Sequence, residues 1–512
     1  MLMNNEMIEN MELKKEDLKQ LEAKGIQPET VRRQLQCLQD TAHFVECVRP
    51  AVDGDGIITL TDKEMDRYDT QYGQQINGIE VVKFVPASGA ATRMFKKWFQ
   101  LLENGTEEDL SCEAEQLPEY PFYPVLAHEM EKKGLSLADL LQKKEYHTVF
   151  SFILKEDGLN YGQMPKGLLP FHRYGDGIRS AFEEHWMEGA VYACGGGKVR
   201  LHFTVSPEHL SNFQALSDQL KSKYERDGLL YEVSFSEQMP QTDTVSLTEK
   251  GDLLRDGQGK LLFRPGGHGS LIYNLNQMDA DVVFIKNIDN VTTDALKPDT
   301  YRYKKSLLGL LLELQRQCFQ YMHLLDNETL SFEEETELKQ FMQNKLHCMF
   351  PENLAGQTLA GRIACYRRLL DRPIRVCGMV KRENEPGGGP FWTRNGQKVS
   401  LQIVETAEMN LDNPEQGQCL EESQYFNPVD LVCSLKNYRQ EKYNLLDYVD
   451  KERYFIAEKS YKGQKIRVLE HPGLWNGAMS AWHTLFVKVP LSTFTPVKEV
   501  RDLLRPAHLN RG

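Results

Sequence analysis

The chain has 512 residues, 40% hydrophobic and 26% charged, which is apolar material for a large folded core and more length than one ordinary domain uses. A net charge of −13 argues against a broad nucleic-acid surface, which needs a basic stripe to neutralise phosphates. No stretch approaches the roughly 18 uninterrupted apolar residues of a membrane span, and the ten cysteines are scattered without a CxxC pair, so free thiols in a reducing cytoplasm are expected rather than a zinc site.

The opening MLMNNEMIENMELKKED is polar and acidic, with no apolar h-region, so no secretory signal is expected. Residues 1–78 read as a helical accessory region. DLKQLEAKGIQPETVRRQLQCLQ has helix formers, a Gly-Ile break and a proline near a helix start. AVDGDGIITLTD (51–62) resembles a calcium loop with Asp53 and Asp55 at ligand positions. Ala51 and Asp62 stand where the first Asp and the last Glu belong, so a Gly-Asp turn is the better reading.

Beyond this region short apolar runs alternate with helical stretches. The runs are IEVVKFV, VRLHFTV (199–205), LLYEVSF (229–235), DVVFIK (281–286), IRVCGMV (374–380) and TLFVKVP (484–490). Several are nearly continuous in apolar residues, as expected for strands buried on both faces. YKKSLLGLLLELQRQCFQYM (303–322) predicts a long helix. In GKVRLHFTVSPEHLSNFQAL a strand leads to a helix with Ser206 as its candidate N-cap. The alternation predicts an α/β fold with a mostly parallel sheet.

Three constellations carry candidate chemistry. In VVKFVPASGAATRMFK (81–96) a strand runs through small residues into a helix, a place where backbone N–H groups can meet a phosphate. Thr92 offers a hydroxyl there and Arg93 a planar fork; a tight strand-to-helix turn explains the loop equally well. In LLFRPGGHGSLIYNL (261–275) the glycines would let a flat ligand lie on the backbone, although a turn histidine without a ligand is the more common meaning of His268. In DVVFIKNIDN (281–290) a buried strand ends at Asn287, Asp289 and Asn290. Ligands of open α/β sheets bind beyond such strand ends, and a carboxylate there can hold Mg²⁺. An Asx turn is the plainer alternative.

Taken in order, these segments resemble the UDP-sugar pyrophosphorylase superfamily. ASGAATRM (87–94) is similar to its glycine-rich loop, and MPKGLLPFH (164–172) to its Pro-Lys-Gly element, with Lys166 as the matching lysine. FSEQMPQTD (235–243) supplies Gln238 and Pro240, PGGHG (265–269) matches the PxGHG loop, and NIDN (287–290) the Asn-x-Asp-Asn strand end. LQIVETAEM (401–409) resembles the sugar-side element through Glu405, YFNPVDLVCSLKNY (425–438) contributes Asn427, and FTPVKEVRDLL (494–504) carries Lys498. The matched elements run from about 81 to 504. Ser88 and Ala91 stand where the family has glycines, and TAE replaces YSE in the sugar element.

The resemblance implies a Rossmann-like GT-A nucleotidyltransferase sheet over 79–435, preceded by the helical region 1–78 and completed by a small C-terminal extension, 436–512, that carries Lys498. It implies a cytoplasmic enzyme joining a nucleoside triphosphate, with UTP favoured, to a sugar-1-phosphate, with release of pyrophosphate and no nucleic-acid or membrane partner. Mg²⁺ would sit on Asp289. Arg93, Lys166 and Lys498 would be catalytic, the first two on the triphosphate or pyrophosphate and Lys498 on the transferring phosphoryl group. Ser88, Gly89, Thr92, Gln238, Gly266, Gly267 and His268 would bind nucleotide, and Glu405 and Asn427 the sugar. Two alternatives stay open: a binding protein on the same fold without turnover, its loop altered at Ser88 and Ala91, and a transferase using a nucleotide-sugar donor. The glycine-rich 387–402 reads as a mobile loop near the sugar or as a hairpin with a glycine turn.

Overall fold

Valine, isoleucine and phenylalanine fill both faces of a buried strand, and all six apolar runs become strands in the computed structural model. The model describes residues 13–39, 44–175, 177–225, 228–383 and 388–509. The strands are Val81–Pro86, Lys198–Thr204, Leu230–Ser236, Val282–Lys286, Ile374–Lys381 and His483–Lys488. Every residue of Val282–Lys286 is buried, as are the first five of Val81–Pro86. The long helix runs Lys297–Asp326. Most of the N-terminal stretch read for a signal, residues 1–12, lies outside the described residues. Among the described residues no helix is long and apolar enough to cross a membrane.

The chain divides into two compact units, each built from three separated pieces. The first comprises Met1–Thr61, Gln238–Val282 and Leu307–Lys488; the second comprises Asp62–Glu237, Val283–Ser306 and Val489–Gly512.

In the second unit Val81–Pro86 pairs in parallel with Lys198–Thr204, in the register Lys83 to Leu201 and Val85 to Phe203. Leu230–Ser236 adds to Lys198–Thr204 in parallel, and Cys194–Gly195 pairs with it antiparallel. Val282–Lys286, which crosses the unit boundary by one residue, lies beside Val81–Pro86. The core over these strands is aromatic. Trp98 is fully buried and meets Tyr120, Phe122 and Phe150 edge-on, while Phe182 packs on Phe203, Phe213 and Phe235. Each such pair is worth about 0.5–1.5 kcal/mol beyond the area it buries.

In the first unit Ile374–Lys381 pairs in parallel with His483–Lys488, which pairs in parallel with Gly56–Ile58. The other partners of Ile374–Lys381 are antiparallel: Asp430–Ser434 and Tyr425–Phe426. Two further antiparallel sheets join Glu46–Pro50 with Gly389–Asn395 and Lys398–Val404, and Ser246–Thr248 with Gln464–Glu470 and Phe455–Tyr461. The architecture is therefore mixed α/β, which corrects the expectation of a mostly parallel sheet. An apolar run reports that a strand is buried but carries no record of its direction.

The N-terminal helices are Lys15–Lys24 and Pro28–Gln39, with Gly25 at φ 70° closing the first. Leu21, Val31, Leu35 and Leu38 pack on Val245, Leu247, Tyr454 and Leu469 of the first unit. The acidic turn at 53–56 is a turn held by protein partners. Arg49 grips Asp55 with two bonds of 2.7 and 3.1 Å, and Asp53 accepts from Thr59, Tyr425 and Lys488. The glycine-rich segment is a hairpin, Gly389–Asn395 and Lys398–Val404, around Gly396 at φ 60°; residue 387 lies outside the described residues. Ser206 does stand before a short 3₁₀ turn and then the helix Leu210–Tyr224, but its hydroxyl makes no cap and donates instead to the Ser88 carbonyl at 3.2 Å.

Candidate active site

The candidate residues fall into two groups, one in each unit. In the second unit Val81–Pro86 delivers the loop 87–90, a 3₁₀ turn over Ala91–Arg93 and the helix Lys96–Asn104. This loop is laced to the Pro-Lys-Gly element. Ala91 N–H donates to Met164 O at 2.9 Å, Lys166 N–H to Gly89 O at 3.2 Å, and the Thr92 hydroxyl to Gly162 O at 3.0 Å. Ser88, Gly89, Thr92 and Arg93 are exposed, while Ala91 is buried. Neither Ser88 nor Ala91 has a positive φ, so their side chains bring no left-handed strain to the loop.

Lys166 points from that element to the end of Val282–Lys286. Its ammonium donates to Asp289 Oδ2 at 2.9 Å and to the Val497 carbonyl at 2.7 Å. Lys498 Nζ lies 3.8 Å from the same Oδ2, and the Lys498 side chain is 64% exposed. Asp289 is buried, and its Oδ1 has no hydrogen bond among the described residues. The segment bearing Lys498 is zipped to the strand end: Val497 N–H donates to Asp289 O at 3.2 Å, and Thr495 N–H to Asn290 Oδ1 at 2.9 Å. From below, the His185 ring donates to the Ile288 carbonyl at 3.2 Å. Burial, together with the charge of Lys83, holds His185 well below the ordinary histidine range, so a neutral ring fixes the backbone next to Asp289. The same strands bury an ion network. Glu188 bridges Lys83 at 2.8 Å and Lys286 at 2.7 Å. Burial pushes Lys83 down to about 7, although Glu188 opposes the shift.

In the first unit PGGHG is followed by the short helix Leu271–Asn276. Gly267 has φ 76°, a backbone only glycine adopts freely. At Gly269 an added Cβ would lie 2.2 Å from the Pro472 carbonyl, and at Gly266 2.6 Å from the Thr242 carbonyl. The room left by these two glycines is taken by neighbouring chain. His268 stacks on Trp475 with ring centroids 4.2 Å apart. Its Nδ1 accepts from Leu474 N–H at 3.1 Å, which turns Nε2–H toward Glu405 Oε1 at 3.4 Å. Burial raises the Glu405 carboxyl, but hydrogen bonds from His268 and Trp475 outweigh it and leave it below its ordinary value. Asn427 is buried, and its Oδ1 accepts from Val429 N–H, holding that residue at φ 59°. Gly388 lies between Asn427 and Glu405: its carbonyl accepts from Asn427 N–H at 2.9 Å, and a Cβ there would meet Glu405 Cγ at 3.1 Å. Gln238 is half-buried and reaches Thr242 at 3.5 Å.

Lys166, Lys498 and Asp289 thus converge, beside the loop holding Ser88, Gly89, Thr92 and Arg93. His268 and Glu405 pair, with Asn427 adjoining through Gly388. Neither Gln238 nor Asn427 is hydrogen-bonded to that pair. Sequence reading named Asn290 at the strand end without giving it a role, and passed over Trp475 and His185. Only Asn290 carried a signal, as the last residue of NIDN.

A family model described as "Domain of unknown function (DUF4301)" matches residues 14–509. The chain belongs to the DUF4301 family. A search of curated proteins gives this DUF4301 chain no match. Among solved structures it is similar to a UDP-N-acetylglucosamine pyrophosphorylase from Trypanosoma brucei, at 13% identity and a TM-score of 0.48, over 96% of this chain and 84% of that one. It is also similar to a mutant UDP-glucose pyrophosphorylase from Leishmania major in complex with UDP-glucose, at 12% identity and a TM-score of 0.45, over 96% and 79% of the two chains. Values this low assign no role to any residue of the DUF4301 chain.

Proposed function

We propose that this chain is a nucleotidyltransferase that forms a nucleotide-sugar and pyrophosphate from a nucleoside triphosphate and a sugar-1-phosphate. One observation carries the reading: Lys166 and Lys498, far apart in sequence, both reach Asp289 Oδ2, at 2.9 and 3.8 Å. The loop 87–93 is bonded to the backbone of Lys166. A carboxylate, two ammonium groups and an exposed guanidinium at a strand end form a site for phosphates rather than for a neutral substrate. Uridine is favoured through the resemblance of PGGHG and NIDN to the pyrophosphorylase motifs.

The reaction needs alignment and charge neutralisation more than a base. A sugar-phosphate oxygen, already an anion, bonds to the α-phosphorus while the bond to the β-phosphate oxygen breaks and pyrophosphate leaves. Lys166 and Arg93 bind the triphosphate and the departing pyrophosphate, and Lys498 offsets charge on the transferring phosphoryl group. The donor set fits Mg²⁺, which commonly takes one or two carboxylates and fills its other positions with phosphate oxygens and water. Asp289 would hold it through Oδ1, the oxygen that Lys166 leaves without a hydrogen bond among the described residues. Bound there, the ion supplies charge neutralisation. Glu405, held ionised and oriented by His268, and Asn427 accept from sugar hydroxyls; Gln238, Gly267 and His268 serve the base and ribose.

Asp289→Asn in a pyrophosphate-release assay tests this. Turnover is expected to fall by about 10²–10³-fold, the size of losing one electrostatic contact to a transition state. Unchanged turnover across a panel of sugar phosphates and the four triphosphates would sink the metal assignment. The second reading is a nucleotide-binding protein without turnover, because Ser88 and Ala91 stand where the family's phosphate loop has glycines. Calorimetry that finds nucleotide binding with no pyrophosphate formed selects that reading.

A further inference from the structure

A cavity of about 620 Å³ opens in the first unit, within the volume range of small-molecule sites. None of its lining residues belongs to the candidate site. Four arginines line it, Arg367, Arg368, Arg372 and Arg439, with Tyr438 and Tyr448 on its walls. The run RRLLDRPIR supplies the first three. Arg367 and Arg368 lie in the last turn of the helix Leu359–Leu370, and Arg372 follows its end. Arg439 is presented by a turn closed by Gln440 N–H on Asn437 O at 3.0 Å.

Cations in a last helical turn ordinarily complement the helix dipole. Arg367 fits that role: it donates to Leu325 O and pairs with Asp326 at 2.8 Å. Arg439 reaches the same Asp326 only at 4.0 Å. Arg368 and Arg372 are different, because neither has a carboxylate within ion-pair distance among the described residues. Arg368 faces Cys365 Sγ at 4.0 Å, and Arg372 donates to the Arg368 carbonyl at 3.3 Å. Burial lowers the Arg372 guanidinium below its ordinary value. The cavity does contain carboxylates, but they accept from neutral donors: Asp371 from Tyr443 at 2.8 Å, Glu441 from Asn437 and Asp447 from Asn444, each at 3.0 Å. Arg372 is half-buried and Arg368 is exposed beside it; a half-buried cation with no carboxylate at ion-pair distance is costly, and an anion that enters offsets the cost. Guanidinium forks suit tetrahedral phosphate oxygens, and adjacent tyrosine rings suit an organic body.

We infer that this cavity is a second ligand site, which binds a small phosphate monoester through Arg368 and Arg372, with Arg439 closing over it from the turn. The site is independent of the proposed transfer reaction. Isothermal titration of the full chain with inorganic phosphate, fructose 1,6-bisphosphate and AMP reads it out. At least one probe is expected to bind saturably, and binding is expected to persist in Lys166→Gln, whose change lies in the other unit. Binding is expected to weaken by about tenfold or more in the double variant Arg368→Gln and Arg372→Gln, and by a smaller factor in Arg439→Gln, as loss of charged forks requires. Which probe binds most tightly separates a sugar phosphate from a nucleotide or the bare anion. Arg439 is exposed on a turn, so its variant keeps the test decisive if the double variant melts early. The inference is overturned if no probe saturates, if binding is unchanged in both arginine variants, or if Lys166→Gln alone abolishes it. Absence of pyrophosphate release leaves it standing.

Discussion

Asp289 has two carboxylate oxygens, and among the described residues hydrogen bonds engage one of them. A carboxylate that only locked a turn would direct its acceptors to backbone N–H groups, as Asn290 does with Thr495. Asp289 instead takes two lysines on Oδ2. Lys498 makes the sharper test, because its side chain is 64% exposed and contributes little to packing. Lys498→Ala is expected to change unfolding free energy by no more than about 0.5 kcal/mol in a urea titration. Its pyrophosphate release is expected to fall by about 10²-fold or more. Loss of activity with a matching loss of stability would make Lys498 structural instead. That these residues belong together was implied by the family resemblance of their motifs. What His268 rests on was not, because stacking on Trp475 depends on a turn at Pro472 and Gly473 that no periodicity records.

At the scale of elements, strand position was readable and direction was not, and burial failed at Leu230–Ser236, where Tyr231 alone is buried. The six apolar runs mark their strands to within a residue or two, since continuous valine, isoleucine and phenylalanine have few other uses. Asp430–Ser434 has the same apolar character yet runs against Ile374–Lys381, and the short antiparallel sheets contain half-exposed strands with weak patterns. Pairing between the strand end and a distant segment was likewise invisible. Asn290 is the rivet there, and at 1% exposure its loss leaves Thr495 N–H without its acceptor. Asn290→Ala is expected to cost about 1–3 kcal/mol, the penalty for a buried unsatisfied donor. Hydrogen exchange is expected to quicken selectively over 493–498. Uniform quickening across the second unit would mean that Asn290 supports the fold at large rather than this segment.

At the scale of the molecule, the buried Lys83 contributes to how stability responds to pH. The folded state holds Lys83 at about 7, below its ordinary 10.5, because burial penalises the charged form. Between those values the unfolded chain binds a proton that the folded chain lacks. This group therefore adds stability as pH rises through that window, fully present above about 10.5 and lost as pH falls to about 7. Lys83→Met is expected to flatten that rise, read as the difference in unfolding free energy between mildly and strongly alkaline buffer, relative to the unsubstituted chain. An unchanged difference would mean that Lys83 keeps its proton throughout. The division of the chain has a consequence for synthesis. Each unit interleaves three pieces, and the strand His483–Lys488, which supplies parallel pairing to Ile374–Lys381, is the last part of the first unit to be made. Lys498 follows it. A ribosome therefore releases neither unit as a finished body: the earlier pieces of each, including buried strands, wait in the nascent state for partners that emerge at the end. Truncations before 488 should yield no independently stable half, and the burden on cellular chaperones falls on a chain that closes both of its units almost at once.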